Sequence, residues 1–311
     1  MPGARVAYLA YRAGAETARR LPAPAGLPLV RLASRAMSFV SPARRHQVER
    51  NLMRVTQHQL DAAGLTRATG EVFENYGRYW YELFRLGPDD RAALQSTMHV
   101  DGLEHFDTAY AAGRGVLLCL PHLGNWDAAG AWLSGRLGGV TVVAEPVEPP
   151  ELFEWFVETR RQIGLEVIPL GPEAGGAVLR ALGEGRVVCL VCDRDLTGGG
   201  VPVEFFGEET RLPGGPATLA FRSGATLLPV GTYFEGDAGH RVSFDRPLAV
   251  ERSGRLREDV ARVTQELAQR FEALIRRAPE QWMLMQPNWP SDPNWSPGAG
   301  AAGAASQEES T

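Results

Sequence analysis

His122 is the residue whose surroundings best fit a chemical task. It follows the apolar run Val116-Leu117-Leu118-Cys119-Leu120 and Pro121, and it precedes Leu123-Gly124-Asn125-Trp126-Asp127. The run has strand length, Gly124-Asn125 reads as a tight turn, and a helical pattern starts near Trp126. An imidazole thus stands at the carboxyl end of a buried strand, with a carboxylate five residues on. Open α/β sheets bind ligands at such strand ends. A base oriented by an acid is the minimum equipment for deprotonating a hydroxyl. Five positions on a regular helix rotate by about 500°, which would separate two side chains. His122 precedes the helix, so the turn is able to fold the ring back toward Asp127. Asp127 is the expected orienting acid. Glu204, an awkward unpaired charge between Val203 and Phe205, is the alternative.

Other charged residues gather at the same rim. Glu145 ends the second strand and is expected to hold an acceptor or support the histidine. Asp193-Arg194-Asp195 ends another strand, where an internal salt bridge shaping the substrate site is the first expectation. Arg160 and Arg161, near a helix end, either bind phosphate, pair with Asp127, or form a solvated terminus. Arg211 is assigned to contact with a donor or a phosphate. The remaining histidines have no patterned partners, and no H-x-x-x-H or H-E-x-x-H spacing exists, so no metal is expected. There is no G-x-S-x-G elbow. Gly171-Pro172-Glu173-Ala174-Gly175-Gly176 lacks the lysine of a P-loop, and no G-x-G-x-x-G follows the first strand.

The elements that must position these residues follow from periodicity and punctuation. Strands are expected at 115–120, 140–144, 165–169, 186–192, 201–206, 226–232 and 241–246. Helices are expected at 125–136, 151–163, 174–183, 214–223 and 256–277. This alternation predicts an α/β fold with a mostly parallel central sheet flanked by helices. Before it, 68–86 reads as a strong helix with an aromatic face, and Ser41-Pro42 opens another. Residues 1–40 alternate arginine with apolar residues, and Pro22, Pro24 and Pro28 are expected to break them into two short helices. The division expected is a basic amphipathic helical arm over 1–60, a core over 61–289 and a disordered tail over 290–311.

Charge is unevenly spread. Residues 1–54 hold ten arginines against Glu16 and Glu49, a balance of +8, which leaves −13 for the rest of a chain of net charge −5. A basic arm on an acidic body points to an anionic surface. The arm reads equally as an interfacial segment or as a helical hairpin packed on the body. No recognisable nucleic-acid module accompanies it, so nucleic acid is not an expected partner. No window reaches the roughly 18 apolar residues of a spanning helix, so membrane association would be peripheral. Cys189 and Cys192 form a C-x-x-C inside an apolar strand. Buried thiols in a reducing compartment are the expectation, ahead of a redox or metal pair.

The His-x-x-x-x-Asp pattern in Pro121-His122-Leu123-Gly124-Asn125-Trp126-Asp127 resembles the motif of the acyltransferase family that acts on lipid A precursors and mycobacterial phosphatidylinositol mannosides. Three further blocks resemble the same family, in order. They are Asn51-Leu52-Met53-Arg54-Val55 with Tyr76-Gly77-Arg78-Tyr79-Trp80, then Asp193-Arg194-Asp195-Leu196 with Gly200 to Gly207, then Pro279-Glu280-Gln281-Trp282 through Trp289. The last two lie nearer the actinobacterial mannoside enzymes, since lipid A enzymes tend to have Asp-Gln at Asp193-Arg194. The resemblance implies direct transfer of a fatty acyl chain, palmitoyl by expectation, from acyl-CoA as co-substrate to a mannose hydroxyl of a phosphatidylinositol mannoside. It implies no cofactor, and work at the cytoplasmic face of the plasma membrane. His122 would be the base, with amides near Gly124 and Asn125 as oxyanion donors. The alternatives are another glycolipid acceptor, such as a lipid A precursor, or a non-catalytic membrane-binding protein of the same fold.

Overall fold

The structure is a computed structural model that describes residues 2–298, apart from the side chains of 2–7, 23, 91 and 92. Four helices open the chain: α1 (Pro2–Arg20), α2 (Ala23–Val40), α3 (Pro42–Val55) and α4 (Ala62–Arg85). Next come α5 (Asp90–Thr97), β1 (Met98–Asp101), α6 (Leu103–Ala111), β2 (Val116–Leu120), α7 (Trp126–Leu137) and β3 (Val140–Ala144). They are followed by α8 (Pro150–Gln162), β4 (Leu165–Pro169), α9 (Ala174–Gly183), β5 (Val187–Val191), β6 (Val201–Phe205) and β7 (Glu208–Leu212). The last are α10 (Gly215–Ser223), β8 (Thr226–Glu235), β9 (Gly239–Phe244), α11 (Leu256–Arg276) and a 3-10 turn, Pro279–Gln281.

The expected α/β architecture is present. Seven strands form one sheet in the order β1-β9-β8-β2-β5-β3-β4, parallel throughout except that β8 and β9 run antiparallel. All five residues of β2 are buried, as a strand covered on both faces requires. Leu117 and Cys119 face one helical layer with Leu182 of α9, Ala220 of α10 and Phe271 of α11. Val116, Leu118 and Leu120 face the other, with Phe106 of α6 and Trp132 and Leu133 of α7. Each leucine, valine or phenylalanine among them contributes about 1.5–3 kcal/mol by leaving water.

Topology and register place the site. From β2 the chain runs outward through β3 and β4, returns to β5 between β2 and β3, then passes to β8 on the far side of β2. Ligand crevices open at the strand ends beside such a reversal. Leu120 pairs with Val191, so residues two places beyond each, His122 and Asp193, emerge side by side. The α1–α4 layer lies beside this end. Ala15, Ala18, Leu27 and Phe84 pack with Leu152 and Phe156 of α8.

Four expectations need correction. Pro28 does not break its helix; it lies inside α2 at an exposed position, where the carbonyl left without a partner is open to solvent. Strand 201–206 does not join the sheet. It pairs with β7 as an antiparallel hairpin, through a turn in which Phe206 (φ 53°) and Gly207 (φ 78°) are both left-handed, a primed turn matched to strand twist. β1, α5, α6 and β7 were not expected at all. The chain also stays on the body past residue 290. Asp292 is buried, 2.8 Å from Arg54 Nη1, and accepts from Gln47 Nε2 at 2.9 Å. Arg54 in turn stacks over the Trp289 ring. The expected tail otherwise falls on 299–311, outside the described residues.

Removing one member of a buried ion pair strands the other charge. Asp292→Ala should therefore lower unfolding stability by about 3–5 kcal/mol, measured by denaturant titration. A change near zero would show that the last turns contribute nothing to the fold.

Candidate active site

The β2–α7 connection holds His122 in a fixed pose. The Asn125 side chain caps α7 by accepting from Ala128 N at 2.9 Å. Gly124 has φ +58°, and a Cβ there would meet Thr232 O at 2.3 Å, so the chain passes here only with glycine. The Pro279–Gln281 turn clamps the connection from the other side. Gly124 N donates to Gln281 O at 3.0 Å, and Met283 N donates to His122 O at 2.8 Å. The Gly124 amide is therefore committed within the fold and is not the oxyanion donor expected of it.

The acid facing His122 is Asp193. Its Oδ1 lies 2.6 Å from His122 Nδ1. A carboxylate only accepts, so Nδ1 carries a proton, and in the neutral ring Nε2 keeps its lone pair. Oδ2 accepts from His122 N at 2.9 Å and from Trp282 Nε1 at 2.8 Å. Asp193 is fully buried, while the His122 side chain is 32% exposed. Burial alone would raise the Asp193 pKa. The charge of His122, then the hydrogen bonds from His122 and Trp282, outweigh it and hold the carboxyl below its ordinary range. Trp126 packs edge-on against the imidazole.

Asp127 has a different partner. Its carboxylate takes both Nε (2.8 Å) and Nη2 (3.0 Å) of Arg160, and Tyr79 Oη donates to it at 2.6 Å. Asp127 points away because it lies in the first turn of α7, where its side chain turns back toward α4 and α8. Arg160 is largely withdrawn from solvent; that would lower its pKa, but Asp127 and Tyr79 raise it. The same burial, reinforced by Asp127, drives the Tyr79 hydroxyl well above its usual value. Of the readings for Arg160, the one pairing it with Asp127 is the arrangement observed.

A cavity of about 750 Å³ opens at the strand ends, a size typical of ligand pockets. His122, Glu145, Arg160, Arg194 and Asp195 line it, together with an apolar wall that includes Trp80, Trp126 and Phe156. Burial lowers the Arg194 pKa, opposed by the charges of Glu145 and Asp193. Asp195 shapes the next loop by accepting from Gly198 N at 3.2 Å and Gly200 N at 2.7 Å. From Asp127 and Arg160 a smaller apolar recess of about 70 Å³ continues between α7 and the sheet, past Leu118, Leu133 and Phe244.

Three expected residues stand elsewhere. Glu204 is exposed on the hairpin, because strand alternation turns Val203 and Phe205 inward and the glutamate outward. It therefore does not serve His122. Arg161 is exposed and pairs with Glu158 on its own helix. Arg211, also exposed, donates to Gly200 O at 2.8 Å and braces that loop rather than the cavity. Sequence reasoning missed Trp282 and underused Asp193. The available signal was positional: Asp193 follows β5 by the same two residues as His122 follows β2. Cys189 and Cys192 are both free. Burial pushes the Cys189 thiol up to about 12, and burial with help from the neighbouring Cys119 raises the Cys192 thiol well above its ordinary value.

An α/β sheet with a His–Asp pair at its carboxyl edge and an apolar cavity before it fits transfer chemistry on a lipid-like substrate. The sequence profile of the bacterial lipid A biosynthesis acyltransferases matches residues 4–291, and the chain belongs to that family. Among individual proteins, it is 41% identical to a phosphatidylinositol mannoside acyltransferase of Mycolicibacterium smegmatis, over 93% of each chain. It is 47% identical to one of Mycobacterium tuberculosis, over 70% of this chain and 69% of that one.

The pH dependence of Asp193 has a definite sign. A carboxyl whose folded pKa lies below its unfolded value of about 3.9 stabilises fully above that pH, and the contribution disappears as pH falls through the folded value. Asp193→Asn should flatten the acid limb of stability below about pH 4, read by denaturant titration from pH 2 to 7. An unchanged acid limb would mean that the pair does not exist in solution. At neutral pH Cys189 and Cys192 should resist iodoacetamide in the native protein and react only on unfolding, as counted by mass spectrometry.

Proposed function

We propose that the chain moves a fatty acyl group from acyl-CoA to a mannose hydroxyl of a phosphatidylinositol mannoside. The observation that carries this is the His122 ring, held at Nδ1 by buried Asp193 and lining a large, mostly apolar cavity. The relatives' names supply the acceptor class. A sugar hydroxyl is a weak nucleophile, so a neutral imidazole that takes its proton during attack lowers the barrier. The oxygen adds to the thioester carbonyl, the C–S bond breaks, and the imidazolium returns the proton to the leaving thiolate. Asp193 stabilises the imidazolium in between. The nearby thiols are held protonated, which favours direct transfer over an acyl-enzyme. The recess under α7 has the lining an acyl chain needs. Glu145 and Arg194, at the polar end of the cavity, are assigned to the acceptor head group.

The surface supports work at a membrane. Leu9, Leu29, Leu32, Phe39 and Val40 are each more than half exposed, and all lie on α1 and α2, within the basic part of the chain. Contiguous exposed apolar side chains mark interaction sites, and neighbouring arginines suit anionic head groups. Among the described residues, no helix is long and apolar enough to cross a membrane. Contact through this strip would be interfacial, at a cytoplasmic membrane face.

Incubation with palmitoyl-CoA and phosphatidylinositol mannoside should release free thiol only when the acceptor is present. His122→Ala should slow that release by about 10²–10⁴-fold. Equal rates in wild type and variant would remove the proposed base. Leu32→Ser combined with Phe39→Ser should weaken sedimentation with anionic vesicles while leaving thermal unfolding unchanged. Undiminished sedimentation would put the membrane contact elsewhere.

A further inference from the structure

A second cavity lies outside the catalytic one, inside the N-terminal helical layer. It holds about 290 Å³ between α1, α2 and α4. Small residues border it. On the α2–α4 side, Gly77 lets the helices close, since a Cβ there would lie 1.9 Å from Ser34 Oγ. On the α1 side, Gly14 and Ala18 leave space, and a Cβ on Gly14 would meet nothing within 4 Å. The walls are mostly apolar, including Val30, Phe73 and Phe84. Two features give the space direction. Met37 lines it and is 50% exposed, so the cavity reaches the apolar strip of α2. Tyr81, only 6% exposed, lines it too, and its buried hydroxyl has no hydrogen-bond partner among the described residues. Trp80 borders both this cavity and the catalytic one.

We propose that this cavity seats one fatty chain of the diacyl glycolipid acceptor while the acceptor's head group reaches His122. The inference rests on the glycolipid reading above. Direct transfer brings two lipid-bearing substrates together, and the structure offers two apolar recesses. The one under α7 adjoins the catalytic cavity and has room for part of the thioester's chain. The one in the helical layer opens at the membrane-facing strip, where a lipid still resident in the bilayer would enter. A mostly apolar recess of this size releases water when an apolar chain fills it. Arg44 lies in the wall, within the +8 segment of residues 1–54, and a guanidinium suits the phosphate that joins chain to head group.

Gly14→Phe fills the cavity from an exposed helical position, and Met37→Trp narrows its mouth. With diacyl phosphatidylinositol mannoside, KM should rise about tenfold in each variant, equivalent to about 1.4 kcal/mol, roughly two methylenes returned to water. With the deacylated head group, which has no chain to seat, KM should match wild type. A binding readout separates this from catalysis. Phosphatidylinositol with brominated chains, in detergent micelles, should quench wild-type tryptophan fluorescence, and Gly14→Phe or Trp80→Phe should remove at least half of that quenching. Equal quenching in wild type and Gly14→Phe would overturn the chain site, as would a KM rise shared by both acceptors. Gly14-dependent quenching without any mannoside acylation would keep the chain site and refute the acceptor as its occupant.

Discussion

The contact between His122 and Asp193 is the interaction on which the rest of the site depends. A fully buried carboxylate is stable only if donors surround it, and Asp193 has three: the His122 ring, the His122 amide and the Trp282 indole. Each comes from a different constraint. The β2–β5 register brings the two strand ends level. The turn through Gly124 aims the His122 amide. The 3-10 turn before Trp282 delivers the indole. Shifting the register by one residue would turn the imidazole to the opposite face.

Two buried acids near one another have been given different tasks by their surroundings. Asp193 faces a group that can gain or lose a proton. Asp127 faces Arg160, which cannot, and Tyr79, whose proton is held more tightly than usual. The first arrangement supports a proton-transfer role for its histidine. The second ties α7 to α4 and α8 and lets the helical layer form one wall of the cavity. Aromatic contacts reinforce that wall, with Tyr79 on Trp126 at 4.3 Å and Trp80 beside Phe156 at 5.5 Å. The polar groups stand at the strand ends and the apolar surface extends away from them, the division of labour required by a reaction between an alcohol and a long chain.

Much of the sheet was legible because its strands are short, apolar on both faces and punctuated by glycine. β3, β4 and α9 fall on the expected residues, and β2, α7 and α10 fall within one residue of them. The elements that escaped lack those signals. β1 is only Met98-His99-Val100-Asp101, and β7 alternates charge with threonine and leucine, so both read as loop. Pro28 misled because a proline's cost depends on whether water can reach the carbonyl left without its partner. The site was half legible. His122 announced itself through its strand and turn, whereas Asp127 attracted the role of partner by closeness in sequence, and Asp193 lies 71 residues away.

Sequence by itself determined the alternation of strands and helices, the histidine at a strand end, the basic first helices and the family. These follow from local periodicity, local charge and motif order, which require no knowledge of what lies beside what. Tertiary structure alone decided which acid meets His122, that Asp292 joins Arg54, that Glu204 faces water, and that a cavity remains between α1, α2 and α4. Each depends on strand order, register or helix spacing. Those are set by the packing of the entire core, and no short stretch of chain encodes them.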